Sequence, residues 1–131
     1  LAEELPDLAA RADVDPKRMV LGGRSMGGRI CSMAVAEGLP AAGLILLSYP
    51  LHPPGKPERL RIEHFPALDL PVLFISGDKD PFGTPAELEA RVGSIPGPVT
   101  TLWIEGGNHD PKHKARVPTI VAAVQEWLAQ L

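Results

Sequence analysis

Residues 19–28 read Met19-Val20-Leu21-Gly22-Gly23-Arg24-Ser25-Met26-Gly27-Gly28. A short apolar run leads into Gly23-x-Ser25-x-Gly27, and a helical pattern follows at once. That is the context of a strand-to-helix elbow, where a serine can be held out as a nucleophile. So tight a turn is expected to carry almost no side chain two positions before and two positions after the serine. The serine backbone itself is expected to be strained. The helix that follows aims its first N–H groups and its dipole at any anion forming beside the hydroxyl. Gly28 adds a small residue where that helix must pass close to the sheet. Other glycine-rich motifs fail on residue identity. A dinucleotide fingerprint needs G-x-G-x-x-G, but Arg24 or Ser25 stands at its second glycine. A P-loop needs G-K-[ST], but Gly27 is followed by Gly28 and Arg29. The plain alternative is a βα turn whose serine only caps a helix.

Outward from the elbow the pattern alternates. Helices are expected over about 1–12, 26–37, 84–92 and 115–130, and strands over about 18–22, 43–48, 71–76 and 99–104. Asp15-Pro16 ends the first helix, and Gly38 with Pro40 stops the second. Thr84-Pro85-Ala86-Glu87 is an N-cap, a proline at the first helical position and a capping-box glutamate. The strands Gly43-Leu-Ile-Leu-Leu-Ser48 and Pro71-Val-Leu-Phe-Ile-Ser76 are continuously apolar. Such strands are buried on both faces, as in a parallel sheet covered by helices. The fold class is therefore α/β, a mostly parallel sheet of about four strands flanked by helices. Residues 49–66 break the rhythm with five prolines. A connection this long reads as a lid or substrate loop, its first half extended, with a short helix expected over 57–64.

The bulk numbers bound the function. The chain's 131 residues make one domain of ordinary size. Its 44% hydrophobic and 22% charged residues are those of a globular protein. A net charge of −3 with scattered Lys and Arg argues against nucleic-acid binding. No apolar run approaches the roughly 20 residues of a membrane span. The single cysteine, Cys31, reads as a small packed side chain. It is compatible with a reducing, cytoplasmic setting.

A nucleophilic Ser25 needs a base, and the base needs an orienting carboxylate. Gly77-Asp78-Lys79-Asp80-Pro81 follows the strand at 71–76, and Gly106-Gly107-Asn108-His109 follows the strand at 99–104. All three groups thus leave strands at their C-terminal ends, the edge where open parallel sheets bind ligands. The chain order is Ser, Asp, His. Asp80 is the better acid because it lies farther into its loop, leaving Asp78 to fix the turn.

Gly-Gly-Arg-Ser-Met-Gly-Gly-Arg, Ser-Gly-Asp-Lys-Asp-Pro-Phe-Gly-Thr-Pro and Gly-Gly-Asn-His together resemble the α/β-hydrolase superfamily. More narrowly, the chain resembles small dienelactone-hydrolase-like proteins, of a branch with relatives in a chromatin-complex subunit. The Tyr49-Pro50-Leu51-His52-Pro53-Pro54-Gly55-Lys56 stretch is similar to that branch too. The resemblance covers nearly the whole chain, but only the C-terminal half of the family's fold. It implies Ser25 as nucleophile, Asp80 as acid, His109 as base and the Met26 N–H as one oxyanion donor. It implies hydrolysis of a small ester through an acyl-enzyme, with no metal or organic cofactor. The second oxyanion N–H normally comes from an earlier loop. The expectation is therefore an N-terminally truncated domain, inviting self-association or a partner that completes the sheet. The competing class is a non-catalytic scaffold, or an inert fragment, of the same fold.

Arg24, Tyr49 and His52 are the candidate substrate contacts. Arg24 flanks the elbow, and the other two follow a strand end. Arg29 and Met26 also border the serine. His109 and His113 are spaced i,i+4, but Pro111 intervenes and no H-E-x-x-H glutamate is present. A zinc site is not expected. Val117, Ile120, Val121, Val124, Trp127, Leu128 and Leu131 form the apolar face of a core helix.

Overall fold

The computed structural model describes residues 13–110 and 116–131. The helix expected over 1–12 and the residue His113 lie outside the described residues. Four strands, β1 (Val20–Arg24), β2 (Gly43–Leu47), β3 (Val72–Gly77) and β4 (Val99–Ile104), form one sheet in the order β1-β2-β3-β4. Every neighbouring pair is parallel. Among the described residues, three α-helices, α1 (Met26–Ala36), α2 (Pro85–Glu89) and α3 (Val117–Ala129), connect or flank them.

The continuous apolar runs are explained by burial on two faces. Leu44, Leu46, Val72 and Phe74 point into one cluster, which includes Leu21 and Cys31. Their alternates Leu73 and Ile75 point into a second cluster, with Ile104 and Trp127 of α3. Phe74, Leu73 and Ile75 are all essentially inaccessible. Burying each such side chain stabilises the fold by about 1.5–3 kcal/mol. A strand exposed on one face would have needed polar residues at every second position.

Helix ends follow their residues. Gly38 takes φ 110° just past α1, and the Leu39 N–H reaches back to the Ala34 carbonyl at 3.1 Å. The Thr84 hydroxyl accepts from Glu87 N–H while the Glu87 carboxylate accepts from Thr84 N–H, the reciprocal box the sequence predicts. α2 stops at Glu89, short of the expected residue 92, and Val92–Ser94 forms a separate 3-10 turn. Gly93 and the β-branched Val92 weaken helix propagation there.

The Pro-rich connection differs most from expectation. No helix forms over 57–64; the segment holds only turns before a 3-10 turn at Phe65–Ala67. Its polar groups bond outward instead of along a helix. The Arg61 N–H donates to the Leu51 carbonyl at 2.8 Å, and the Arg61 carbonyl accepts from the Tyr49 hydroxyl at 2.7 Å. Its first residues are core: Tyr49, Leu51 and His52 are buried. Among the described residues, no helix is long and apolar enough to cross a membrane.

Candidate active site

Ser25 stands between β1 and α1 with φ 53° and ψ −123°. An L-residue is rarely found there, and the surroundings must hold it. The Ser25 N–H donates to the Leu47 carbonyl at 2.8 Å, and its own carbonyl accepts from the Arg29 N–H at 3.1 Å. The turn closes on glycine. A Cβ on Gly28 would meet the Gly23 carbonyl oxygen at 2.7 Å, and one on Gly23 would meet the backbone of Gly27 and Gly28. The steric demand therefore falls on Gly23 and Gly28. At Gly27, expected to be equally tight, a Cβ would meet nothing within 4 Å.

The hydroxyl makes no helix-capping bond. Ser25 Oγ lies 2.7 Å from His109 Nε2, and His109 Nδ1 lies 2.9 Å from Asp80 Oδ2. Since a carboxylate only accepts, Nδ1 carries the proton and Nε2 is left to accept from the serine. Asp80 is 1% exposed. A buried carboxylate is tolerable only when its oxygens are bonded, and Oδ1 accepts from the Phe82 N–H at 2.8 Å. The arrangement can draw a proton from a hydroxyl and hold the resulting imidazolium against a carboxylate.

The loops carrying Asp80 and His109 are joined by backbone. The Asp78 N–H donates to the Ile104 carbonyl at 3.1 Å, and the Lys79 N–H to the Gly107 carbonyl at 2.8 Å. Asp78 Oδ1 accepts from the Gly106 N–H at 2.9 Å. Asp78 does fix a turn, but the turn belongs to the loop carrying His109. Gly77 and Gly107 lie so close that a Cβ on Gly77 would overlap the Gly107 carbonyl.

Met26 opens α1, and its N–H falls among the helix-start donors that have no intrahelical acceptor. Arg24 Nη1 lies 3.5 Å from Asp110 Oδ1, both side chains being well exposed, so an ion pair brackets the Ser25–His109 contact.

Tyr49 and His52 are not brought to the serine. Tyr49 is 3% exposed. Its ring packs on Phe65 and Phe74 with centroids 5.6 and 5.8 Å away. Burial pushes its phenol up to about 12, and its hydroxyl donates to the Arg61 carbonyl with Ser32 also in reach. His52 is equally buried. Its Nε2 lies 2.8 Å from Glu87 Oε2 and its Nδ1 2.8 Å from the Pro53 carbonyl oxygen. Both residues organise the Pro-rich segment from inside. Cys31 is buried, and burial raises its thiol.

Sequence reasoning missed two features here. Phe82 stacks on the His109 imidazole with centroids 4.0 Å apart. Its place in Asp80-Pro81-Phe82 was the available signal. A second serine–imidazole contact joins Ser32 Oγ to His64 Nε2 at 2.8 Å, and no local spacing marks it.

The chain matches the alpha/beta hydrolase domain family over residues 1–129 and belongs to that family. Two curated relatives, uncharacterised proteins from two strains of Mycobacterium tuberculosis, are 31% identical over 122 residues. The match covers 80% of this chain and 43% of each relative, so the chain spans less than half their length. Among solved structures, puromycin hydrolase superposes with TM-score 0.79 at 19% identity, over 98% of this chain and 24% of that one. DcsB, bound to a substrate analogue, gives 0.75 at 17% identity, over 98% and 71%. The Bacillus cereus carboxylesterase gives 0.68 at 20% identity, over 98% and 57%. These likenesses show the fold.

Proposed function

We propose that the protein is a serine hydrolase that cleaves a small ester or related acyl compound. One observation carries this reading: Ser25 Oγ, held on a strained backbone and unspent on capping, meets an imidazole whose far nitrogen is bonded to a buried carboxylate. In this reading Ser25 attacks the acyl carbon as His109 takes its proton. Asp80 fixes the tautomer and stabilises the imidazolium. The Met26 N–H and the α1 dipole face the oxyanion. His109 then protonates the leaving alcohol, and a water activated by His109 releases the acyl group from Ser25. Arg24 is the substrate-contacting side chain of this reading, since it is exposed and adjacent to the nucleophile. No metal or organic cofactor takes part.

A fluorophosphonate probe tests the proposal in the full-length protein. Labelling of Ser25 that vanishes in Ser25→Ala is expected, together with turnover of at least one member of a short-chain ester panel. A folded protein that neither labels nor turns over would favour the non-catalytic scaffold.

A further inference from the structure

We propose that Phe82 is a positioning residue for His109, one that ties the orientation of the base to the loop holding the acid. The inference rests on the hydrolase reading above. His109 must present two nitrogens at once, one to Asp80 and one to Ser25. It leaves β4 through Gly106 and Gly107, residues that restrain their own backbone little. Gly106 adopts φ 69°. The imidazole keeps 21% of its side-chain surface exposed, so close packing on all sides does not fix it.

Phe82 supplies the missing restraint. Its ring lies on the imidazole with an interplanar angle of 27° and centroids 4.0 Å apart. An imidazole swinging toward that face meets the phenyl ring. When the base holds a proton, the ring's π-face also favours the cation.

Phe82 is itself held at both ends. Its N–H donates to Asp80 Oδ1 at 2.8 Å. Its carbonyl accepts from the His52 N–H at 3.0 Å. His52 is in turn pinned by Glu87, whose carboxylate also serves the Thr84 capping box. Leu51 packs beneath the same loop, where a Cβ on Gly83 would meet Leu51 Cβ at 3.1 Å. The buried His52 imidazole, held by Glu87 and Pro53, thus fixes the residue whose backbone N–H anchors Phe82.

The test compares Phe82→Leu and Phe82→Tyr with the wild type in the full-length protein. Readouts are kcat and KM for p-nitrophenyl acetate, the melting temperature, and the downfield proton resonance of His109 Nδ1–H. Phe82→Leu is expected to lower kcat about tenfold, roughly the worth of one ring–cation contact. KM should stay within about twofold, and the Nδ1 proton should broaden or be lost. Phe82→Tyr, which keeps a ring, should restore both kcat and the resonance. Wild-type kcat and an unchanged resonance in Phe82→Leu would overturn the proposal. So would equal losses in both variants accompanied by equal falls in melting temperature. A wild type without turnover would defeat the hydrolase reading alone, because the proton resonance still reports whether Phe82 fixes the imidazole.

Discussion

Among the described residues, two serine hydroxyls meet a histidine Nε2 at nearly equal distance, 2.7 Å for Ser25–His109 and 2.8 Å for Ser32–His64. Distance alone does not separate them; their surroundings do. Ser25 keeps its hydroxyl free of the helix, and His109 has the Asp80 carboxylate behind it. Ser32 sits inside α1 and donates its only proton to the Arg29 carbonyl at 2.8 Å. His64 must then donate to Ser32, the reverse of the role a base needs. Burial holds His64 below its usual range, and the Arg29 guanidinium pushes it the same way, against a smaller opposing effect of Glu63. In the hydrolase reading, one contact moves a proton and the other keeps it. The difference lies in the third group and in where the hydroxyl proton already points.

Substitutions can break this comparison, and the largest effect is expected at Ser25. Ser25→Ala should lower kcat by on the order of 10⁶, whereas Ser32→Ala should leave kcat within about twofold. Steady-state kinetics on one ester reads both, and equal losses would erase the distinction. Asp80→Asn should cost about 10⁴ in kcat, because the amide can donate to Nδ1 and select the wrong tautomer. A loss below tenfold would show that Asp80 does not set the tautomer.

Smaller effects sharpen the contrast through stability. Gly77→Ala should destabilise the protein by about 1–3 kcal/mol by forcing apart the loops that carry Asp80 and His109. Urea denaturation measures this, and a neutral result would show that the loops have slack. Ser32→Ala should cost about 1–2 kcal/mol, since it leaves the His64 N–H without its acceptor.

The last effect is a pH dependence. His64 binds its proton less readily folded than unfolded, so as pH falls the unfolded chain takes up that proton first. The stability tied to neutral His64 is present above about pH 6.5, the unfolded value. It is lost as pH falls through the lower folded value. His64→Gln should therefore flatten the loss of stability between pH 7.5 and 5.5. Parallel curves for variant and wild type would remove His64 from the account.

The parts legible in the sequence were those written locally. Val20 through Gly28 specify an elbow, Thr84 through Glu87 a helix start, and the unbroken apolar runs at 43–48 and 71–76 a sheet covered on both faces. Ser25, Asp80 and His109 could be grouped because each follows the C-terminal end of a strand, and parallel pairing puts those ends on one edge.

What stayed hidden depends on partners distant in the chain. Asp78 reads as a local turn former, yet its side chain reaches Gly106 N–H, 28 residues away. Tyr49 and His52 read as rim residues because they follow a strand, but Leu51, Phe65 and Glu87 draw them inward. The expected helix over 57–64 had suitable composition, but Arg61 in its middle bonds Leu51 and Tyr49 instead of its own turn. Phe82 carries no catalytic chemistry of its own, so only the fold shows what it covers.

The contact between Gly77 and Gly107 reaches beyond its own two loops. It sets how close the two loops lie through main chain, while the orientation of the ring is left to side chains. Variation that respects this joint belongs in stretches that do not bear on it, such as the exposed residues 54–59. A library confined to those positions would leave the spacing of Asp80 and His109 as it is.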